Sequence, residues 1–103
     1  MTYAYVIDVP EPIELYEVVH AEVDRRSGGR ADGLIVHLAR PTATGFQVLE
    51  VWESKEHSDR FGAEVVGPAM TQVGARGDGP QPEPEEFEPH GLMVAGSRVA
   101  ADS

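Results

Sequence analysis

The sequence predicts an α+β domain, one antiparallel sheet of four strands with two helices on one of its faces. Three observations predict it. Residues 34–40 and 46–52 alternate their side chains with a two-residue beat about a short turn, the pattern of a β-hairpin. Residues 13–24 and 55–73, on either side of that hairpin, carry helical spacing or capping signals. Strand-like segments at 3–8 and 85–94 bracket the whole, giving the order β-α-β-β-α-β and with it a ferredoxin-like sheet.

Each element has a local reason. Tyr3 to Asp8 alternates bulky and smaller side chains and stops at Val9-Pro10-Glu11-Pro12, since proline cannot donate to a sheet ladder. Leu15, Tyr16, Val19 and Val23 form one apolar helical stripe; Glu11, Glu14 and Glu17 near its start and Arg25 and Arg26 at its end suit the helix dipole, and Ser27-Gly28-Gly29 stops it. Ser54 is placed as the N-cap of a helix over residues 55–64 that continues irregularly to Val73, because Gly67-Pro68 must break or kink it. Residues 74–84, rich in Gly and Pro, read as a loop, and Phe87, Leu92, Met93 and Val94 restore strand character over 85–94. The single domain spans residues 1–94, and the tail at 95–103 is expected to be mobile unless it docks on a partner subunit.

A four-residue turn at 42–45 sets the hairpin register. It pairs Ala39 with Val48, His37 with Glu50 and Ile35 with Trp52 on one face, and puts Leu34, Val36, Leu38, Leu49 and Val51 on the other. The second set is aliphatic, so the expectation places it under the helices and turns the set containing His37, Glu50 and Trp52 toward the open side of the sheet. An open face carrying Ile35, Ala39, Val48 and Trp52 then favours a homodimer over an exposed patch.

Composition removes several classes of function. With no cysteine there are no disulfides, thiolate nucleophiles or cysteine-bound metals. A formal charge of −10, with eight scattered Lys and Arg residues, argues against nucleic acid. No apolar run approaches the ~20 residues that span a bilayer, and Met1-Thr2-Tyr3-Ala4 lacks a basic segment followed by an apolar one, so the expectation is a cytoplasmic protein with no membrane partner. No histidine or carboxylate spacing of a metal site, phosphate-binding glycine loop or serine nucleophile elbow is present, and no metal or cofactor is expected.

The element order, Tyr16, Gly33-Leu34-Ile35-Val36-His37, the run from Val48 to Ser54, Phe61, Pro68 and Phe87-Glu88-Pro89-His90 resemble the dimeric α+β barrel superfamily, in which two ferredoxin-like subunits pack sheet to sheet. Within it they resemble small actinobacterial proteins similar to antibiotic biosynthesis monooxygenases, mostly of unassigned function. The resemblance covers roughly residues 3–94. It implies a cleft between sheet and helices in each subunit, lined partly by the partner. Cofactor-independent quinone-forming members use a tryptophan ending the third strand, matched by Trp52, with an asparagine at the place held here by Val48. Haem-degrading members carry a histidine about nine or ten residues after that tryptophan, where this chain has Phe61 and Gly62.

The candidate site follows. Trp52 could stack on a planar substrate or pack at an interface. His37 opposite Glu50 could be a general base oriented by a carboxylate, or a surface cross-strand pair. His90 could join the pocket or serve an edge strand; Asp8 could add a carboxylate or cap a turn; Tyr16 fits its helix core, with a hydroxyl that could reach the cleft. Ile35 and Val48 would complete the wall. His20 and His57 are read as solvated. These residues suit a small apolar, aromatic or polyketide-like ligand. The activity they would support is cofactor-independent monooxygenase or proton-transfer chemistry, with a non-catalytic ligand-binding or interaction module as the alternative and a haem-handling protein ranked last for the missing ligand position.

Overall fold

In the computed structural model, which describes residues 2–75 and 81–94, the elements are β1 (Tyr3–Val9), α1 (Ile13–Ser27), β2 (Leu34–Pro41), β3 (Phe46–Trp52), α2 (Lys55–Phe61), a π-helical stretch (Gly62–Val66), α3 (Gly67–Gln72) and β4 (Glu85–Phe87). The sheet is antiparallel in the order β2-β3-β1-β4, as the ferredoxin-like fold requires. The tail at 95–103 and the middle of the loop at 74–84 lie outside the described residues.

α1 ends where Gly28 takes a left-handed conformation (φ 67°) and donates its N–H to the Asp24 carbonyl, three residues later than the sequence reading. Ser54 caps α2, its Oγ accepting the His57 N–H at 3.2 Å. Gly67-Pro68 does not break the helix. Pro68 can donate no N–H to the carbonyl four residues back, and the residues just before it adopt π geometry, with the Gly67 N–H reaching the Gly62 carbonyl. β4 is shorter than expected, three residues rather than ten, and Pro89 follows it with no N–H for a ladder.

The hairpin turn closes between Pro41 and Phe46, and His37 faces Glu50 and Ala39 faces Val48 as the register predicts. It then shifts. Leu34, not Ile35, lies opposite Trp52, because Ile35 is the extra residue of a bulge between Leu34 and Val36. Gly45 lets this hairpin meet β1, since a β-carbon there would overlap the Val9 carbonyl. Gly33, at φ 87°, makes room for the His57 ring. His57 is accordingly half-buried, with Nδ1 2.7 Å from Ser54 Oγ, rather than solvated.

Which face the helices cover is the main correction. His37, Glu50 and Trp52 do share one side of the sheet, but that side lies under the helices: the Tyr16 ring of α1 packs on His37 and Phe46, and Phe61 of α2 packs on Trp52. Val36, Leu38, Leu49 and Val51 lie with Ala4 and Val6 of β1 on the opposite, open face, where Ala4 and Val51 are buried within the subunit, Val6, Val36 and Leu49 are half-buried and Leu38 is 56% exposed. Polar groups are costly to bury only when they are left unpaired. The inner face supplies partners for them from β1 and α1, so their burial is compensated. The expectation of a partner surface then moves from Ile35, Ala39, Val48 and Trp52 to the residues of this face.

Candidate functional site

Between the sheet and the helices lies a cavity of about 840 Å³. Its walls are apolar where α1 contributes Leu15, Val19 and Val23, α3 contributes Met70, and the sheet contributes Ile7 and Val48. Tyr5, Tyr16, His20, His37 and Glu50 gather at one part of the wall, and Glu11, Asp24, Ser27, Arg30 and Gln81 add polar groups elsewhere on it. Such a vessel suits a small, mostly apolar molecule held by a few directed hydrogen bonds. A second, smaller cavity of about 350 Å³ shares Tyr5, Glu50 and Phe61 with the first. Its rim holds Lys55, 3.5 Å from Glu86, and Tyr3, whose hydroxyl donates to Glu86 at 2.6 Å.

Glu50 is the centre of the arrangement. Its Oε1 accepts the Tyr5 hydroxyl at 2.6 Å and the Trp52 indole N–H at 2.9 Å, and its Oε2 lies 2.6 Å from His37 Nδ1. Burial alone would push the Glu50 pKa up. Hydrogen bonds from His37, Tyr5 and Trp52, with the charge of His37, outweigh burial and hold it below the usual carboxylate value. The carboxylate is therefore ionised at neutral pH, and its charge acts on its neighbours. Burial, then the Glu50 charge and hydrogen bond, drive the Tyr5 hydroxyl far above an ordinary phenol; burial, Glu50 and Asp24 likewise raise Tyr16.

Of the expected site residues, His37, Glu50, Tyr16 and Val48 meet at the large cavity. Trp52 is 1% exposed, stacks obliquely on Phe61 and borders the smaller cavity; its N–H is committed to Glu50. Asp8 lies on the open face, where it accepts from the Gln47 amide at 3.0 Å: in β1 the cavity receives Tyr5, Ile7 and Val9, and Asp8 has the opposite parity. His90 is exposed in the bend after the short β4, and Ile35 is displaced by the bulge, so neither lines the cavity.

Two contributors went unread in the sequence. His20, taken as solvated, stacks on Tyr16 and His37 at centroid distances of 5.3 and 5.4 Å. The signal for it was the four-residue spacing from Tyr16, which puts both rings over the same turn of α1. Tyr5 reaches Glu50 through the β1–β3 register, which the hairpin alone does not specify. Among the described residues, no group of three or more His, Asp or Glu side chains is placed to hold a metal ion, and no helix is long and apolar enough to cross a membrane.

No protein-family model matches the chain, and no curated protein matches it in sequence. Solved structures do match in fold. Rv0793 from Mycobacterium tuberculosis is 17% identical with a TM-score of 0.60, over 92% of this chain and 99% of that one. A candidate antibiotic biosynthesis monooxygenase from Caulobacter crescentus is 17% identical with a TM-score of 0.63, over 84% and 87%. SnoaB, a cofactor-independent oxygenase from Streptomyces nogalater, is 18% identical with a TM-score of 0.59, over 89% and 94%.

Proposed function

We propose that this chain, whose fold is that of the antibiotic biosynthesis monooxygenase-like proteins, binds a small aromatic or polyketide-like molecule in the 840 Å³ cavity and removes a proton from it, with oxygen as co-substrate. The observation that carries this reading is the half-buried Glu50–His37 pair, carboxylate against imidazole, on the cavity wall beside Tyr5 and Tyr16. A carboxylate that accepts from Nδ1 fixes the imidazole tautomer and stabilises the imidazolium that forms when the ring takes a proton. Trp52 and Tyr5 hold that carboxylate in place and ionised.

On a hydroxylated anthrone the chemistry closes without a cofactor. Deprotonation gives an electron-rich anion that reduces dioxygen directly. One oxygen atom enters the ring system, the substrate gives up two hydrogens, and the second oxygen leaves as water, so the substrate supplies every electron. That a cofactor-independent oxygenase occurs on this fold supports the reading.

We further infer that two copies join through the open faces of their sheets, burying Leu38 and its aliphatic neighbours. For the activity, the purified chain is incubated with hydroxylated anthrones and naphthols, without flavin or metal, and followed by oxygen uptake and quinone absorbance. Uptake that falls at least about a hundredfold in His37→Ala is expected. A panel that binds without oxygen uptake would replace the enzyme with a ligand-binding module, the reading favoured by the fact that both ring nitrogens of His37 are already engaged.

A further inference from the structure

His37 has no nitrogen left for a ligand. Nδ1 lies 2.6 Å from Glu50 Oε2, and Nε2 lies 2.5 Å from Tyr16 Oη. A carboxylate can only accept, so Nδ1 carries a hydrogen, and in the neutral ring Nε2 accepts the Tyr16 hydroxyl. The Tyr16 oxygen then has no second hydrogen to give. Its other neighbour, His20 Nδ1 at 3.4 Å, must therefore donate to it, while His20 Nε2 stands 3.5 Å from the Asp24 carboxylate.

These links form one line, and it runs from water to the interior. Side-chain exposure falls from 58% at Asp24 and 43% at His20 to 25% at His37 and 13% at Glu50. The three rings of Tyr16, His20 and His37 lie within 19° of parallel, which holds them in register. Two proton arrangements satisfy every link. In one, His20 is the imidazolium, donating to Asp24 and Tyr16, and Tyr16 donates to a neutral His37. In the other, His37 is the imidazolium, donating to Glu50 and Tyr16, and Tyr16 donates to a neutral His20. They differ only in where one proton sits.

We propose that Tyr16 is the catalytic group that meets the ligand's proton, and that His20 with Asp24 is the outlet through which that proton reaches water. This rests on the reading of the cavity given above and assigns its working hydroxyl. The ligand is neutral when it binds and weakly acidic at an O–H or C–H bond. That bond breaks, its proton goes to Tyr16 Oη, and the hydrogen of Tyr16 passes to His37 Nε2; a ligand anion and a Glu50-paired imidazolium result, with no net change in charge. The site resets when the His20 imidazolium first releases one proton to solvent and keeps its remaining hydrogen on Nε2 beside Asp24, after which Tyr16 passes its hydrogen to the freed His20 Nδ1 and His37 returns one to Tyr16.

The relay is testable without a substrate. In full-length protein carrying ¹⁵N-histidine, the hydrogen between His37 and Glu50 has a rate of exchange with water that proton NMR reads from line width and saturation transfer. His20→Phe keeps a stacked ring but no nitrogen, and Tyr16→Phe removes the hydroxyl. Each is expected to slow exchange by about tenfold or more while the His37–Glu50 resonance persists. Unchanged exchange in both variants, with that resonance intact, overturns the relay whatever the protein does to a substrate. With a naphthol that is turned over, His20→Ala, which leaves a space for a ring, should lower kcat with little change in KM, and added imidazole should restore it; loss without restoration overturns the outlet role. Slowed exchange in a protein that turns over nothing upholds the relay and removes the oxygenase.

Discussion

The two faces of this sheet are made of alternate residues of the same strands and have opposite chemistry. Beneath the helices, Tyr5, His37, Glu50 and Trp52 bond to one another around a single carboxylate. On the open side, Val6, Val36, Leu38, Leu49 and Val51 form an aliphatic stretch, with Asp8, Gln47 and Arg40 hydrogen-bonded to one another at its end. A polar face can thus be the inner one when its groups satisfy each other, and a mainly aliphatic face can lie on the side the helices leave uncovered. The difference teaches that burial follows the availability of partners rather than polarity residue by residue.

The comparison breaks most sharply at Glu50. Glu50→Ala leaves three donors facing a cavity, and a loss of about 3 kcal/mol in urea unfolding is expected. The same group gives a pH dependence with a defined sign. Its folded-state pKa is lowered, so its stabilisation is complete above the ordinary carboxylate value of 4.5 and is lost as pH falls through the lower folded value. Unfolding measured from neutral pH into that acid range should therefore be less acid-sensitive in Glu50→Gln than in the native chain. Tyr5→Phe removes one of the three donors while keeping the ring, and about 1 kcal/mol is expected by the same measurement.

The open face gives the smallest effect on the subunit. Leu38→Ser, at a position 56% exposed, should change the stability of the separated subunit by no more than about 0.5 kcal/mol. In sedimentation, however, it should shift the protein from dimer toward monomer. An unchanged dimer would mean that the copies meet elsewhere.

Much of this was legible in the chain. The element order, the 42–45 turn, the His37–Glu50 pairing and the Ser54 cap all follow from short-range patterns, in which a residue's neighbours in sequence decide its geometry. What was not legible depends on contacts across the fold. The bulge at Ile35 moves Leu34 into the cavity wall, and no propensity of Ile35 signals it. The helix-covered face was misread because Tyr5 and Tyr16, which compensate His37 and Glu50, lie 45 and 21 residues away from their respective partners. His20 was misread for the same reason, since its ring acquires meaning only when β2 brings His37 beneath it.

The π-helical stretch sets where this part of the chain can change length. Gly62 to Val66 wind more slowly than the α-helical turns on either side, so they act as one added residue between Phe61, which holds Trp52, and Met70, which roofs the large cavity. Deleting a single codon from this stretch would give a more regular helix. Because the slow winding offsets the added residue, Phe61 and Met70 would keep nearly the same relative rotation, whereas the same deletion within the α-helical residues of α3 ahead of Met70 would turn it by about 100°.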